Sequence, residues 1–163
     1  MVGDIVTELD KLTPTQITVG NNKPSPLMSF VQREAQTLSR QIEIARSFVD
    51  YLENVLVGQS AASPVVCDAL QAIAAHRMPL RDILDASASC QDLRGWIREL
   101  RQRSMKLPSV DEDSCTFDMS VFNRPESFLD AAVRHLARQQ FKSLHCVCLT
   151  AHGVCITLCC CFY

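Results

Sequence analysis

The residue types best suited to chemistry crowd the end of this chain. Of nine cysteines in 163 residues, six fall within the last 18: Cys146, Cys148, Cys155, Cys159, Cys160 and Cys161. His145 and His152 stand among them. Thiolates and imidazoles are zinc ligands, and the Cys-x-Cys of 146–148 and His-x-x-Cys of 152–155 are spacings that zinc sites use. The paired Cys-x-x-Cys knuckles of a strong zinc signature are missing. A thiolate activated by His145 or His152 needs a third group to orient the pair, and no such group is marked. The run 146–163 is interrupted only by Thr150, His152, Gly153 and Thr157, which reaches the lower length limit of a membrane-spanning helix. A histidine in mid-run and the absence of a basic residue after it oppose that reading. The simplest expectation is a strand over 144–149 followed by an apolar tail without chemistry. A zinc site, a tail or lipid anchor and a reactive cysteine stand as alternatives.

The remainder of the sequence offers no catalytic pattern. It lacks G-x-x-x-x-G-K-[ST], G-x-G-x-x-G, H-E-x-x-H and G-x-S-x-G. No catalytic residue, cofactor-binding residue, metal site or cofactor is assigned, and the protein is not expected to be an enzyme. Its net charge of -2 and pI near 6.1 give no electrostatic footprint for nucleic acid. The start, Met1-Val2-Gly3-Asp4, has neither the basic patch nor the apolar core of a signal peptide. With Cys67, Cys90 and Cys115 scattered, this reads as a cytoplasmic, reduced protein.

What remains is a set of helices and their packing faces, as 47% apolar and 21% charged residues require of a folded domain. Ile5, Val6, Leu9 and Leu12 recur at helical spacing before Pro14. Residues 13–24 are a loop by turn chemistry. Ser25 as cap and Pro26 at the first helical position then open a long helix. Leu27, Val31, Ala35, Leu38, Ile42, Ala45, Val49, Leu52 and Leu56 form one apolar stripe along it, with Arg33, Glu34, Arg40, Glu43 and Asp50 off the stripe, until Gly58 stops it. Ser63-Pro64 opens a second helix with Val66, Ala69, Leu70 and Ile73 inward, running to Met78-Pro79. A short turn follows over 80–86. Ser89 is the expected cap of a third helix with Leu93, Trp96, Ile97 and Leu100 on one face. Residues 105–120 read as a loop holding Asp111-Glu112-Asp113. Asn123 and Glu126 have the spacing of a capping box before a last helix with Phe128, Leu129, Ala132, Val133 and Leu136 inward. The fold class is mainly α: an antiparallel helical domain with one long helix and a possible short β remnant near the C-terminus. Its divisions are 1–24, a helix and linker; 25–145, the helical domain; and 146–163, the Cys-rich tail.

Two features carry an interaction reading beside a plainer one. Arg94, Arg98, Arg101, Arg103 and Lys106 make a basic helix edge that could meet an acidic partner, or Asp111-Glu112-Asp113 nearby, though such a run is commonly a solvated face. The 27–56 stripe could be a coiled-coil seam or adaptor surface, though internal packing is its more ordinary use.

In order along the sequence, these segments resemble the C-terminal region of dynein heavy chains. Asp4-Ile5-Val6 to Leu12 looks like that family's "D-I-L-x-K-L-P". Pro26-Leu27-Met28-Ser29-Phe30 and the long helix look like the helix that leaves the last AAA module. Gly58, Val65-Val66 and Met78-Pro79 are similar to "K-G-x-V-V-M-S … V-P", and Asp92 to Arg101 with Trp96 and Leu100 resembles "P-L-x-x-W-x-x-D-L-x-x-R". Pro125-Glu126-Ser127-Phe128-Leu129-Asp130-Ala131 through Ala137-Arg138 resembles "P-D-T-F-L-N-A … A-R", closest to the intraflagellar-transport class. The resemblance covers roughly 4–145. Asp82 stands where the family has tryptophan, and the Cys-rich end is unlike the family's β-rich continuation. The resemblance implies a C-terminal fragment that packs on the motor ring and tunes it, with ATP chemistry elsewhere. It implies the motor ring and other dynein subunits as partners, microtubules only through the parent motor, no nucleic acid and no membrane. The implied location is cytoplasmic, at the cytoskeleton or cilium.

Overall fold

The protein is described by a computed structural model covering residues 2–12, 25–84, 86, 90–110, 116–139, 147–152 and 155–160. Its helices are α1 (Val2–Asp10), α2 (Pro26–Leu56), α3 (Pro64–Ala74), α4 (Arg81–Leu84), α5 (Leu93–Lys106) and α6 (Pro125–Gln139). The strands are β1 (Thr116–Asp118), β2 (Val147–His152) and β3 (Cys155–Cys160). The protein divides into two compact units, one of residues 1–14 with 38–104, the other of residues 15–37 with 105–163. The long helix α2 contributes to both.

The punctuation of the sequence works as local chemistry requires. The Ser25 Oγ accepts from the Met28 N–H at 3.1 Å and the Ser63 Oγ from the Val66 N–H at 3.4 Å, each just ahead of a proline at the first helical position. At ~1.5 Å per residue, α2 spans about 45 Å. Gly58 ends it in the left-handed region at φ 76°, its N–H donating to Val55 O and that of Gln59 to Asn54 O. The same pattern ends α3, where His76 sits at φ 54°, its N–H on Ile73 O and that of Arg77 on Ala72 O. This closes α3 earlier than Met78-Pro79. A side chain with a Cβ is strained at both places, so the two positions should respond oppositely. Gly58→Ala should cost about 1 kcal/mol, and His76→Gly should gain a few tenths to about 1 kcal/mol, read from urea unfolding midpoints. A stabilised Gly58→Ala would sink this account.

In the first unit, α1 buries Ile5, Leu9 and Leu12, α3 buries Val66, Ala69 and Ile73, and α5 buries Leu93, Trp96, Ile97 and Leu100. Polar contacts fix α1 from two sides. The Arg46 guanidinium on α2 donates to Leu9 O at 3.4 Å and to Leu12 O, satisfying carbonyls at the C-terminal end of α1. Arg101 on α5 pairs with Glu8 at 3.2 Å. The cap of α5 is Asp92, one residue before its first turn, whose carboxylate accepts from the Gly95 N–H at 2.6 Å. A Cβ on Gly95 would lie 2.8 Å from that oxygen, so a larger residue there would push the capping carboxylate aside. Ser89, the expected cap, lies outside the described residues.

The second unit departs further from expectation. Residues 105–120 are not a simple loop: they contain a 3₁₀ turn at Leu107–Ser109, β1, and a second 3₁₀ turn beginning at Met119. The reason is burial, since Leu107, Phe117 and Val121 are each less than 5% exposed. β1 pairs antiparallel with β3 (Thr116 opposite Thr157, Phe117 opposite Ile156), and β3 pairs antiparallel with β2 (Leu149 opposite Leu158), giving the order β1-β3-β2. The strand expected over 144–149 is thus Val147–His152, and six of the residues expected to trail after it, Cys155–Cys160, form a second strand. The sheet lies against α6. Asn123 and Glu126 do not mark the start of α6 as a capping box would: the first helical amides turn back to Arg124 O, and the Asn123 N–H donates to Glu34 Oε2 at 2.5 Å, while Glu126 is exposed. Glu34, expected off the apolar stripe, is therefore buried and satisfied by backbone from the far end of the sequence.

Lys106 and Asp118 form an exposed pair in this unit, Nζ to Oδ2 at 2.8 Å. The Lys106 ammonium, then the Ser120 hydroxyl and N–H, lower the Asp118 pKa from 3.8 to about 2, against a small opposing effect of burial. A depressed carboxylate stabilises the fold above its unfolded value and loses that contribution as pH falls from about 4 to about 2. Solvent screening limits the size to less than about 1 kcal/mol. Asp118→Asn should flatten the pH dependence of unfolding in that window and leave it unchanged at pH 6–8. An unchanged acid limb would refute the pair's contribution.

Candidate functional site

The residues singled out for function are mostly interior. In the packing stripe, Leu27, Val31, Leu38 and Ile42 are 0% exposed, and Ala35, Ala45, Val49 and Leu52 are also buried. Leu56 departs from the stripe: it is 56% exposed, because the helix ends there and Val57 beside it is exposed as well. Trp96, Leu100 and Phe128 are buried, Leu129 and Ala137 are half-buried, and Pro125 and Arg138 are exposed. Phe128 is the hub of an aromatic cluster. Phe122 stacks on it at 4.7 Å between ring centroids, Phe117 lies tilted at 4.9 Å, and Phe30 meets it edge-on at 5.8 Å.

The last helix is rotated from the expected arc. Its buried face is Phe128, Ala131, Ala132 and His135, whereas Leu129, Val133 and Leu136 are half-buried. His135 is 4% exposed, and its Nε2 has no hydrogen-bond partner among the described residues. Its polar type kept it out of an inner face drawn from apolar residues.

The basic edge of α5 separates into different roles. Arg103 is buried and donates to Gln41 Oε1 at 3.3 Å, Arg101 pairs with Glu8, and Lys106 with Asp118, while Arg94 and Arg98 are exposed. It is not one solvated strip, because successive residues at 100° intervals point to different surroundings. Asp111-Glu112-Asp113 lies outside the described residues.

Within the second unit, the exposed faces of α2 and α6 form an open groove of about 670 Å³. Ser29 and Arg33 line it from α2, and Ser127, Asp130, Arg134 and Arg138 from α6. Asp130 pairs with Arg134 at 3.0 Å, and the Arg33 Nε donates to Ser29 O at 3.3 Å. Among the described residues, no ion pair engages Arg33 or Arg138. The i,i+4 ladder 130-134-138 is legible in the sequence, but Arg33 opposite it is joined only by the fold. The side chains of the tail cysteines, with His145 and His152, lie outside the described residues, as does the zinc reading that rests on them. Among the described residues, no helix is long and apolar enough to cross a membrane. Cys90 is buried and its thiol donates to Glu99 Oε2 at 2.6 Å, while Cys67 is exposed.

Residues 1–154 match the family model of the C-terminal domain of dynein heavy chains. The protein belongs to that family. No curated protein matches it. The match runs through β2 and stops just before β3, so half of the segment expected to be foreign to the family, residues 146–154, lies within the matched domain. As the C-terminal domain of a dynein heavy chain, the protein has its role with the microtubule motor, and its buried family-motif residues Trp96, Leu100 and Phe128 serve the two cores.

Proposed function

We propose that this dynein C-terminal domain is a structural and regulatory segment of an ATP-driven microtubule motor of the intraflagellar-transport class, performing no catalytic step of its own. Its partners on this reading are the remaining motor ring and other dynein subunits, with microtubules reached only through the parent motor and neither nucleic acid nor membrane bound. Its location is cytoplasmic, at the cytoskeleton or cilium. The observation that carries the reading is the family match over residues 1–154. The resemblance of the Pro125–Arg138 segment supports the finer class. The rival reading, a free adaptor that binds through the 27–56 stripe, loses its surface, because all of that stripe except Leu56 is already buried within the protein.

An antibody raised against residues 25–58 tests this directly. On microtubule pellets prepared from source cells, it should detect a band many times larger than 18.2 kDa that is released into the supernatant by ATP. A band only at 18.2 kDa that stays in the supernatant with or without ATP would overturn the motor assignment.

A further inference from the structure

We propose that the groove between the N-terminal turns of α2 and the exposed face of α6 is a docking site for an acidic peptide segment supplied in trans. Three arginines converge on it from two helices: Arg33 from one side, Arg134 and Arg138 one turn apart from the other. Only Arg134 has a carboxylate partner among the described residues, Asp130 at 3.0 Å. Arg33 and Arg138 are exposed, and their planar guanidinium forks match carboxylates bidentately. Ser29 and Ser127 add hydroxyls suited to a peptide backbone. The volume, about 670 Å³, is that of a recognition groove and far more than a single ion needs.

The walls are held in place before any ligand arrives. Phe30, next to Ser29, and Phe128, next to Ser127, meet edge-on beneath the groove with ring centroids 5.8 Å apart. Phe30 is 3% and Phe128 0% exposed. A rigid base lowers the ordering cost of binding. The charge pattern selects the occupant. An acidic peptide can place carboxylates on Arg33 and Arg138 while its amide groups meet the serines and the Asp130–Arg134 pair. A nucleic-acid backbone carries a charge at every nucleotide and would bring phosphates against Glu126 and Asp130, whereas a peptide can place neutral residues there.

The test is fluorescence anisotropy of the protein with a fluorescein-labelled peptide carrying two pairs of glutamates separated and flanked by neutral residues. Saturable binding that weakens with added salt is expected. The double variant Arg33→Glu with Arg138→Glu should weaken it by about tenfold or more, and Arg33→Gln with Arg138→Gln by less in the same direction. The thermal melt of each should stay at the wild-type value, because both side chains are exposed. Arg98→Glu, an exposed charge reversal on α5, should leave affinity unchanged. The proposal is overturned if the wild type shows no saturable binding, or if Arg98→Glu weakens it as much as the groove variants. It is also overturned if a single-stranded DNA of equal charge binds as tightly through the same arginines.

Discussion

Leu52→Asp should destabilise the protein by about 4 kcal/mol or more, against a total of about 5–15 kcal/mol for a domain of this kind. Leu52 is 0% exposed on the part of α2 that belongs to the first unit. The substitution removes a buried isobutyl group and places a carboxylate in an apolar stripe. Either the charge stays buried and unpaired or the carboxyl takes up a proton, and both outcomes are costly. At ~2–4 °C per kcal/mol for a protein of this size, the thermal midpoint should fall by about 10 °C. Leu56→Asp is the matched control. Leu56 continues the same stripe one turn later but is 56% exposed, so its replacement should shift stability by no more than about 0.5 kcal/mol. Coincident melts of wild type and Leu52→Asp would show that the stripe is not buried, and equal losses in the two variants would show that burial does not end before Leu56.

Phe128→Ala should have a comparable effect in the second unit, about 3–5 kcal/mol by loss of transfer free energy and creation of a cavity. Phe128 is 0% exposed and touches the rings of Phe30, Phe117 and Phe122, with centroid distances from 4.7 to 5.8 Å. Those rings come from α2 and from the 116–122 stretch, so the cavity cannot be closed by shifting one side chain. Phe128→Leu retains most of the volume and should lose roughly half as much, with the near-UV circular dichroism of the cluster reduced in both. A loss below about 1 kcal/mol for Phe128→Ala, measured by urea unfolding, would mean that the aromatic cluster does not form the core of this unit.

Leu56 and Leu52 illustrate where sequence reasoning is sound and where it stops. Both lie on one helical stripe, and periodicity cannot say where along the stripe the covering surface ends. His135 and Glu34 fail in the complementary way. A reading that sorts residues by polarity leaves them outside, yet the interior holds both, Glu34 because it meets the Asn123 N–H from 89 positions away in the sequence. The groove arginines share that cause, since Arg33 and Arg138 are brought to one place by the packing of α2 beside α6. The tail shows a third kind of difference. Apolar, Cys-rich residues offer no alternation that would mark strands, and what makes β2 and β3 is the availability of β1 and of each other as hydrogen-bonding partners.

By itself, then, the sequence determined the local decisions: the mainly helical class, the start of α2 at Ser25-Pro26 and its stop at Gly58, the start of α3 at Ser63-Pro64, and the buried faces of α2 and α5, together with the motifs that mark the dynein family. These are set within a few residues by capping, proline geometry and 3.6-residue periodicity. The tertiary structure alone decided which polar side chains are buried, how α6 is rotated, that the C-terminal residues pair into a sheet, and which arginines share a groove. Each of those depends on a partner far away in sequence, and no local pattern encodes the distance between residues that only folding brings together.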